Sequence, residues 1–122
     1  MAVKRILLAE DDRDLRGVYK RILDTAGVEI EEAIDGLEAL AKMKAGGYDL
    51  VLLDIMLLKK DGLEILEELA KDKPVKPNKA IVAVTNLSSD PIMDQVLRLG
   101  AKECLNKSGM SPEKLIELVN KY

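Results

Sequence analysis

Histidine, phenylalanine and tryptophan are absent from this 122-residue chain, and cysteine occurs once, as Cys104. Without imidazole there is no histidine general base, no Ser-His-Asp triad and no histidine-ligated metal. A single thiol excludes intramolecular disulfides and CxxC centres, which suits a reducing cytoplasm. Three tyrosines are the whole aromatic complement, too few for a platform on which nucleic-acid bases stack. No apolar run approaches the length of a membrane span, and the first residues lack a secretory core. The 19 basic and 22 acidic side chains leave a net charge of −3, so no overall basic field attracts nucleic acid or anionic lipid. The sequence reads as a cytoplasmic protein with no direct nucleic-acid partner and no membrane partner. Its chemistry must come from carboxylates, hydroxyls, lysines and backbone groups.

What is present is a soluble-domain composition, 48% hydrophobic and 34% charged. At about 150 residues per domain, the length predicts a single domain over residues 1–122. Short apolar runs alternate with segments of helical period. Lys4 to Ala9 reads as a buried strand, and Val28 to Ala33 as a weaker, alternating one. Leu50 to Leu53, Ala80 to Val84 and Glu103 to Asn106 supply three more. Between them, helices are predicted over Arg13 to Ala26 (apolar at Leu15, Val18, Ile22 and Leu23), Leu37 to Ala45 (Leu37, Leu40 and Met43), and Gly62 to Lys71. A fourth starts at Asp90-Pro91, read as an N-cap and first helical residue, and a fifth at Ser111-Pro112. Five strands alternating with five helices predict an α/β, doubly wound (βα)5 fold with a mostly parallel five-stranded sheet. The lysine- and proline-bearing stretch Lys71 to Lys79 reads as a solvated loop, with a basic docking site as the other possibility.

Ligands in such sheets bind beyond the carboxyl ends of the strands. There the sequence places Glu10-Asp11-Asp12, Asp54, Thr85-Asn86 and Lys107. Each alone has an ordinary explanation. Asp11 or Asp12 could cap the following helix, Asp54 could be a loop acid, Thr85 a strand residue and Lys107 a solvated lysine. Together they fall at matching ends of consecutive elements. Carboxylates held close repel one another, and an oxygen-only site of this kind suits Mg²⁺. Asp54 is then a candidate nucleophile for phosphoryl transfer. Thr85 and Lys107 are candidates to hold the phosphoryl oxygens.

The motifs ILLAEDD, LVLLDIML, Asp61-Gly62, AVTN and GAKECLNK, in this order, resemble the receiver domain of two-component response regulators over essentially the whole chain. Chemotaxis receivers have the flavodoxin-like strand order 2-1-3-4-5, so the resemblance implies that order here. It implies that Glu10 and Asp11 hold Mg²⁺ together with Asp54 and the backbone carbonyl of Met56. It implies that Asp54 is the phosphoacceptor, Thr85 the switch hydroxyl and Lys107 the partner of the phosphoryl group. The phosphoryl group would come from a sensor histidine kinase or phosphotransfer protein. Output would pass to a downstream protein through the last strand and its flanking helices. Such a domain is not an enzyme in the usual sense, since it acts only on its own phosphorylation.

The sequence also departs from the family pattern. Leu58, followed by Lys59 and Lys60, stands where proline is usual, which predicts a less rigid loop. The two lysines read as solvated or as an aid to phosphate entry. Asn86 follows Thr85 where a small residue is usual, and Ser108 follows Lys107 where proline is usual. Cys104 occupies the position of a mobile Tyr or Phe, so output is expected to rest on Thr85 and the Asn86–Asp90 loop. Cys104 reads as a small buried hydrophobe, with a redox thiol as the alternative. Met56 and Leu87 flank the site with apolar side chains that cannot orient a hydrolytic water, which predicts a long-lived aspartyl phosphate.

Three other classes compete with this reading. A flavin-binding module would need an anion loop where Glu10-Asp11-Asp12 stands. A dehalogenase-type phosphatase would need a second acid at Met56. A pseudo-receiver, working by phosphorylation-independent protein contact, is the nearest rival.

Overall fold

The computed structural model describes residues 3–86 and 90–122. The apolar runs form five strands, β1 (Arg5–Ala9), β2 (Glu29–Ala33), β3 (Leu50–Asp54), β4 (Ile81–Thr85) and β5 (Glu103–Asn106). They pair in parallel in the order β2-β1-β3-β4-β5, the order implied by the resemblance. Five helices alternate with them: α1 (Arg13–Asp24), α2 (Gly36–Ala45), α3 (Gly62–Lys71), α4 (Asp90–Arg98) and α5 (Pro112–Lys121). No helix among the described residues is long and apolar enough to cross a membrane.

Alternate residues of the strands feed two cores. Leu7, Ala9, Val51, Leu53, Ala83 and Cys104 pack on one face with Leu40, Met43, Ile65, Leu66 and Val96 of α2, α3 and α4. Ile6, Leu8, Leu50, Leu52, Val82 and Val84 pack on the other with Tyr19, Leu23, Leu115 and Leu118 of α1 and α5. The three inner strands, β1, β3 and β4, carry apolar residues at successive positions because both faces are covered. Each fully buried leucine contributes about 2 kcal/mol by removal from water.

Local signals set the helix ends. Asp12, Asp35, Asp61 and Ser111 each accept a backbone N–H of the first turn of α1, α2, α3 and α5. Asp61 and Glu64 form a reciprocal capping box. Gly27, after α1, adopts φ +68°, a conformation that disfavours any residue with a Cβ.

Some expectations shift. Val18 and Leu37 are exposed, whereas Tyr19 is buried. A count of aliphatic residues alone misplaces the inward stripe of α1, because tyrosine buries its ring. Leu37 lies in the first turn of α2, one residue after the helix begins. Asp90 already belongs to α4 rather than preceding it. Its side chain, where the N-cap role was read, and residues 87–89 lie outside the described residues. A 3-10 turn, Lys107–Gly109, separates β5 from α5 and carries no periodic signal. The 71–79 stretch is largely exposed, as expected of a solvated loop, and its backbone docks on the end of α2. Val75 and Lys76 donate their N–H groups to Lys44 O and Ala45 O, and Asn78 Nδ2 donates to Met43 O at 3.0 Å.

Candidate functional site

Strand register assembles the site. Ala9 pairs with Leu53, so Glu10 and Asp54 emerge side by side from β1 and β3. Asp54 pairs with Val84 and Thr85 with Asn106, so Thr85 and Lys107 continue the same rim. This is the switch point of the sheet, where β2 lies to one side of β1 and β3 to the other.

Three of these polar residues are nearly inaccessible: Glu10 is 2% exposed, Asp54 3% and Thr85 1%. Lys107 Nζ lies 2.8 Å from Asp54 Oδ2 and 2.8 Å from Glu10 Oε1. The other Asp54 oxygen, Oδ1, accepts the Met56 N–H at 2.9 Å. Glu10 Oε2 accepts the Asp12 N–H at 3.1 Å. Arg16, a residue that the sequence reading did not single out, donates to the Glu10 carbonyl at 2.9 Å and to Glu32 at 3.2 Å.

One ammonium therefore serves two buried carboxylates, beside the half-buried carboxylate of Asp11. Burial pushes the Glu10 carboxyl up to about 7, and the Asp54 carboxylate adds to the rise, against the lowering hydrogen bond from Lys107. Burial works against the charged form of Lys107, but Asp54 and Glu10 outweigh it and raise its pKa above the ordinary value. Glu10, Asp11 and Asp54 each offer an oxygen, all within 4.8 Å of one another. This all-oxygen donor set with surplus negative charge fits a hard divalent cation such as Mg²⁺.

The departures from the family pattern have local explanations. Asp12, not Asp11, caps α1, through N–H bonds from Asp14 and Leu15. Asp11 Oδ2 instead accepts the N–H of Leu58 at 3.2 Å, a contact with no sequence signal. Lys59 pairs with Asp35 at 3.2 Å and Lys60 with Glu68, so both lysines are engaged by carboxylates. Ser108 donates its N–H to Asn106 Oδ1 at 2.9 Å, which orders the turn holding Lys107 without proline. Asn86 is exposed. Cys104 is buried, and burial raises its thiol pKa, which favours the packing role over a redox one. Met56 is 56% exposed. Leu87, the second apolar flank, lies outside the described residues. A surface groove of about 930 Å³ beside Ile22, Pro112 and Ile116 of α1 and α5 includes none of the strand-end residues.

Comparison with known proteins agrees with this geometry. A family model described as the response regulator receiver domain matches residues 6–120. The chain is 37% identical over 107 residues to a transcriptional regulatory protein, a CpxR homolog of Haemophilus influenzae, covering 86% of this chain and 44% of that protein. It thus spans less than half the length of that relative. It is 29% identical over 119 residues to the chemotaxis protein CheY of Thermotoga maritima, covering 97% of this chain and 96% of that protein. Among solved structures, a CheY-like receiver domain protein from Methanospirillum hungatei superposes with TM-score 0.85 at 32% identity, covering 98% of this chain and 93% of the other. The family match over nearly the whole chain, on a sheet of the implied order, means that this protein belongs to the response regulator receiver domain family.

Proposed function

We propose that residues 1–122 act as one receiver that takes a phosphoryl group onto Asp54 from a phosphohistidine. The donor is a sensor histidine kinase or a phosphotransfer protein. The observation that carries this reading is the pairing of a buried Asp54 with Lys107, 2.8 Å apart, beside the oxygens of Glu10 and Asp11. Glu10, Asp11, Asp54 and the Met56 carbonyl would hold Mg²⁺. When bound, the ion neutralises the crowded carboxylates and the oxygens of the incoming phosphoryl group.

An Asp54 carboxylate oxygen attacks phosphorus, forming the new O–P bond. The P–N bond to the donor imidazole breaks, and its electron pair returns to the ring nitrogen, which can then take a proton. The product is an aspartyl phosphate and a free donor histidine. Lys107, already hydrogen-bonded to Asp54, follows the negative charge onto the phosphoryl oxygens. The Thr85 hydroxyl, buried at the end of β4, donates to another of those oxygens. Both act by placing fixed donors where charge accumulates. The output is protein contact through β5 and the adjoining α4 and α5, shifted by phosphorylation between two populated arrangements.

Intact-mass analysis after incubation with acetyl phosphate tests the reading. A single Mg²⁺-dependent phosphoryl adduct is expected in the native protein and none in Asp54→Asn. A folded native protein that takes no adduct under any condition would instead favour a phosphorylation-independent interaction domain, with Asn86 and the positions without the usual proline, Leu58 and Ser108, the first to revert.

A further inference from the structure

The turn after β3 is strained at one residue and tied down by it. Lys59 has φ +70°, the only positive φ at a non-glycine residue among the described residues. Lys60 N–H donates across it to Leu58 O at 2.8 Å, the pattern of the strained, positive-φ γ-turn. Such a conformation persists when surrounding contacts hold it. Here they do. Gly36 N–H, at the start of α2, donates to Leu58 O at 2.9 Å. Lys59 Nζ reaches Asp35 Oδ2 at 3.2 Å, and Asp35 is itself fixed as the cap of α2 by the Glu38 N–H at 2.9 Å. The Leu58 N–H then points at Asp11 Oδ2, 3.2 Å away. A proline at position 58 would have no N–H to donate.

We propose that the Lys59–Asp35 pair is a latch on this turn, and that Lys59 is thereby a positioning residue for Asp11. Closing the strained turn against α2 keeps the Leu58 N–H on one Asp11 oxygen and presents the carboxylate in a fixed orientation to Mg²⁺. The inference rests on the metal-site reading above. It explains how the loop is ordered without the stiffness of proline. Lys59 is largely exposed, so the latch loosens as salt screens it.

The test compares Lys59→Met, Lys59→Arg and Lys59→Gly with the native protein. Calorimetric Mg²⁺ titration and hydrogen exchange at the Leu58 amide in metal-free buffer are the two readouts. Lys59→Met should bind Mg²⁺ about two- to fivefold more weakly, the range of an exposed ion pair, and exchange Leu58 faster. Lys59→Arg should restore both. Lys59→Gly should also bind more weakly although glycine accepts positive φ and should not lower the melting temperature. Tighter Mg²⁺ binding in Lys59→Met, as expected from removal of a nearby positive charge alone, would overturn the latch. So would native-like binding in Lys59→Gly. Failure of the native protein to bind Mg²⁺ would defeat the metal-site reading instead. The Leu58 amide then decides the latch: faster exchange in Lys59→Met supports it, and unchanged exchange rejects it.

Discussion

Lys107 and Asp54 lie 53 positions apart in sequence, yet the ammonium donates to Oδ2 of the carboxylate at 2.8 Å. The same ammonium also meets Glu10. Breaking a buried pair by removing one partner leaves uncompensated charge, at a cost of about 3–5 kcal/mol. Lys107→Met should lose about that much stability in metal-free buffer above pH 7 and recover part of it on addition of Mg²⁺. Urea denaturation with chelator and with Mg²⁺ measures both. Phosphorylation of Asp54 should slow by about a hundredfold, as when one fixed donor to developing charge is removed. Native-like stability in chelator would show that the two carboxylates do not depend on Lys107.

Glu10 should make stability depend on pH in the direction opposite to most carboxylates. Its pKa is raised to about 7 from 4.5, so the folded protein binds this proton more tightly than the unfolded chain. The contribution is therefore most favourable below pH 4.5 and is lost as pH rises from 4.5 to 7. The full span is about 3 kcal/mol. Glu10→Gln removes the titration. In metal-free buffer, its stability relative to the native protein should improve steadily between pH 5 and pH 7.5. Mg²⁺ affinity of the native protein should rise between pH 6 and pH 8 as the proton leaves. A stability difference independent of pH would contradict this account.

Two glycines separate loop packing at the two ends of α2. A Cβ at Gly36 would sit 1.7 Å from Lys60 O, and one at Gly46 would sit 1.7 Å from Lys76 O. Gly36→Ala should cost about 3 kcal/mol through overpacking. Gly46→Ala should cost more, because φ +74° adds strain of about 1–2 kcal/mol. The functional consequences should diverge. Gly36 N–H anchors the Leu58 carbonyl, so Gly36→Ala should weaken Mg²⁺ binding. Gly46 contacts the turn before β4, at the far end of the helix, so Gly46→Ala should leave Mg²⁺ binding intact once the protein is folded. Thermal melts and Mg²⁺ titrations distinguish the two.

The exposed, apolar Met56 side chain offers no hydrogen bond to a hydrolytic water. Met56→Asn should shorten the half-life of the aspartyl phosphate by about tenfold by orienting that water, leaving the Met56 N–H contact to Asp54 in place. The measurement is loss of the phosphoryl mass with time after removal of the donor. An unchanged half-life would place control of the lifetime elsewhere.

Much of the fold was legible because buried parallel strands and amphipathic helices leave different periods in the sequence. LVLL read as a buried strand because of its short, continuous apolar run, and its closing acid marked the rim. The Gly62–Lys71 helix and the Glu103–Asn106 strand match their sequence readings at both ends. Motif order supplied what periodicity cannot, the strand order and the roles expected of Glu10, Asp11, Asp54, Thr85 and Lys107. The less legible parts depend on contacts between distant segments. The inward side of α1 turned on Tyr19, whose ring is apolar although its hydroxyl is not. The loop of Leu58 and Lys59 read as merely less rigid, because its restraints come from Asp11, Asp35 and Gly36 on other elements.

By itself, then, the sequence determined the alternation of elements, the capped helix starts and the residue types gathered at the strand ends, since these follow from local period and local hydrogen bonding. Only the tertiary structure decided which oxygens share Lys107, that Asp12 caps α1 while Asp11 accepts the Leu58 N–H, and that Lys59, at positive φ, pairs with Asp35. Those outcomes depend on strand register and loop docking. Both bring together groups dozens of residues apart, whose pairing no local pattern encodes.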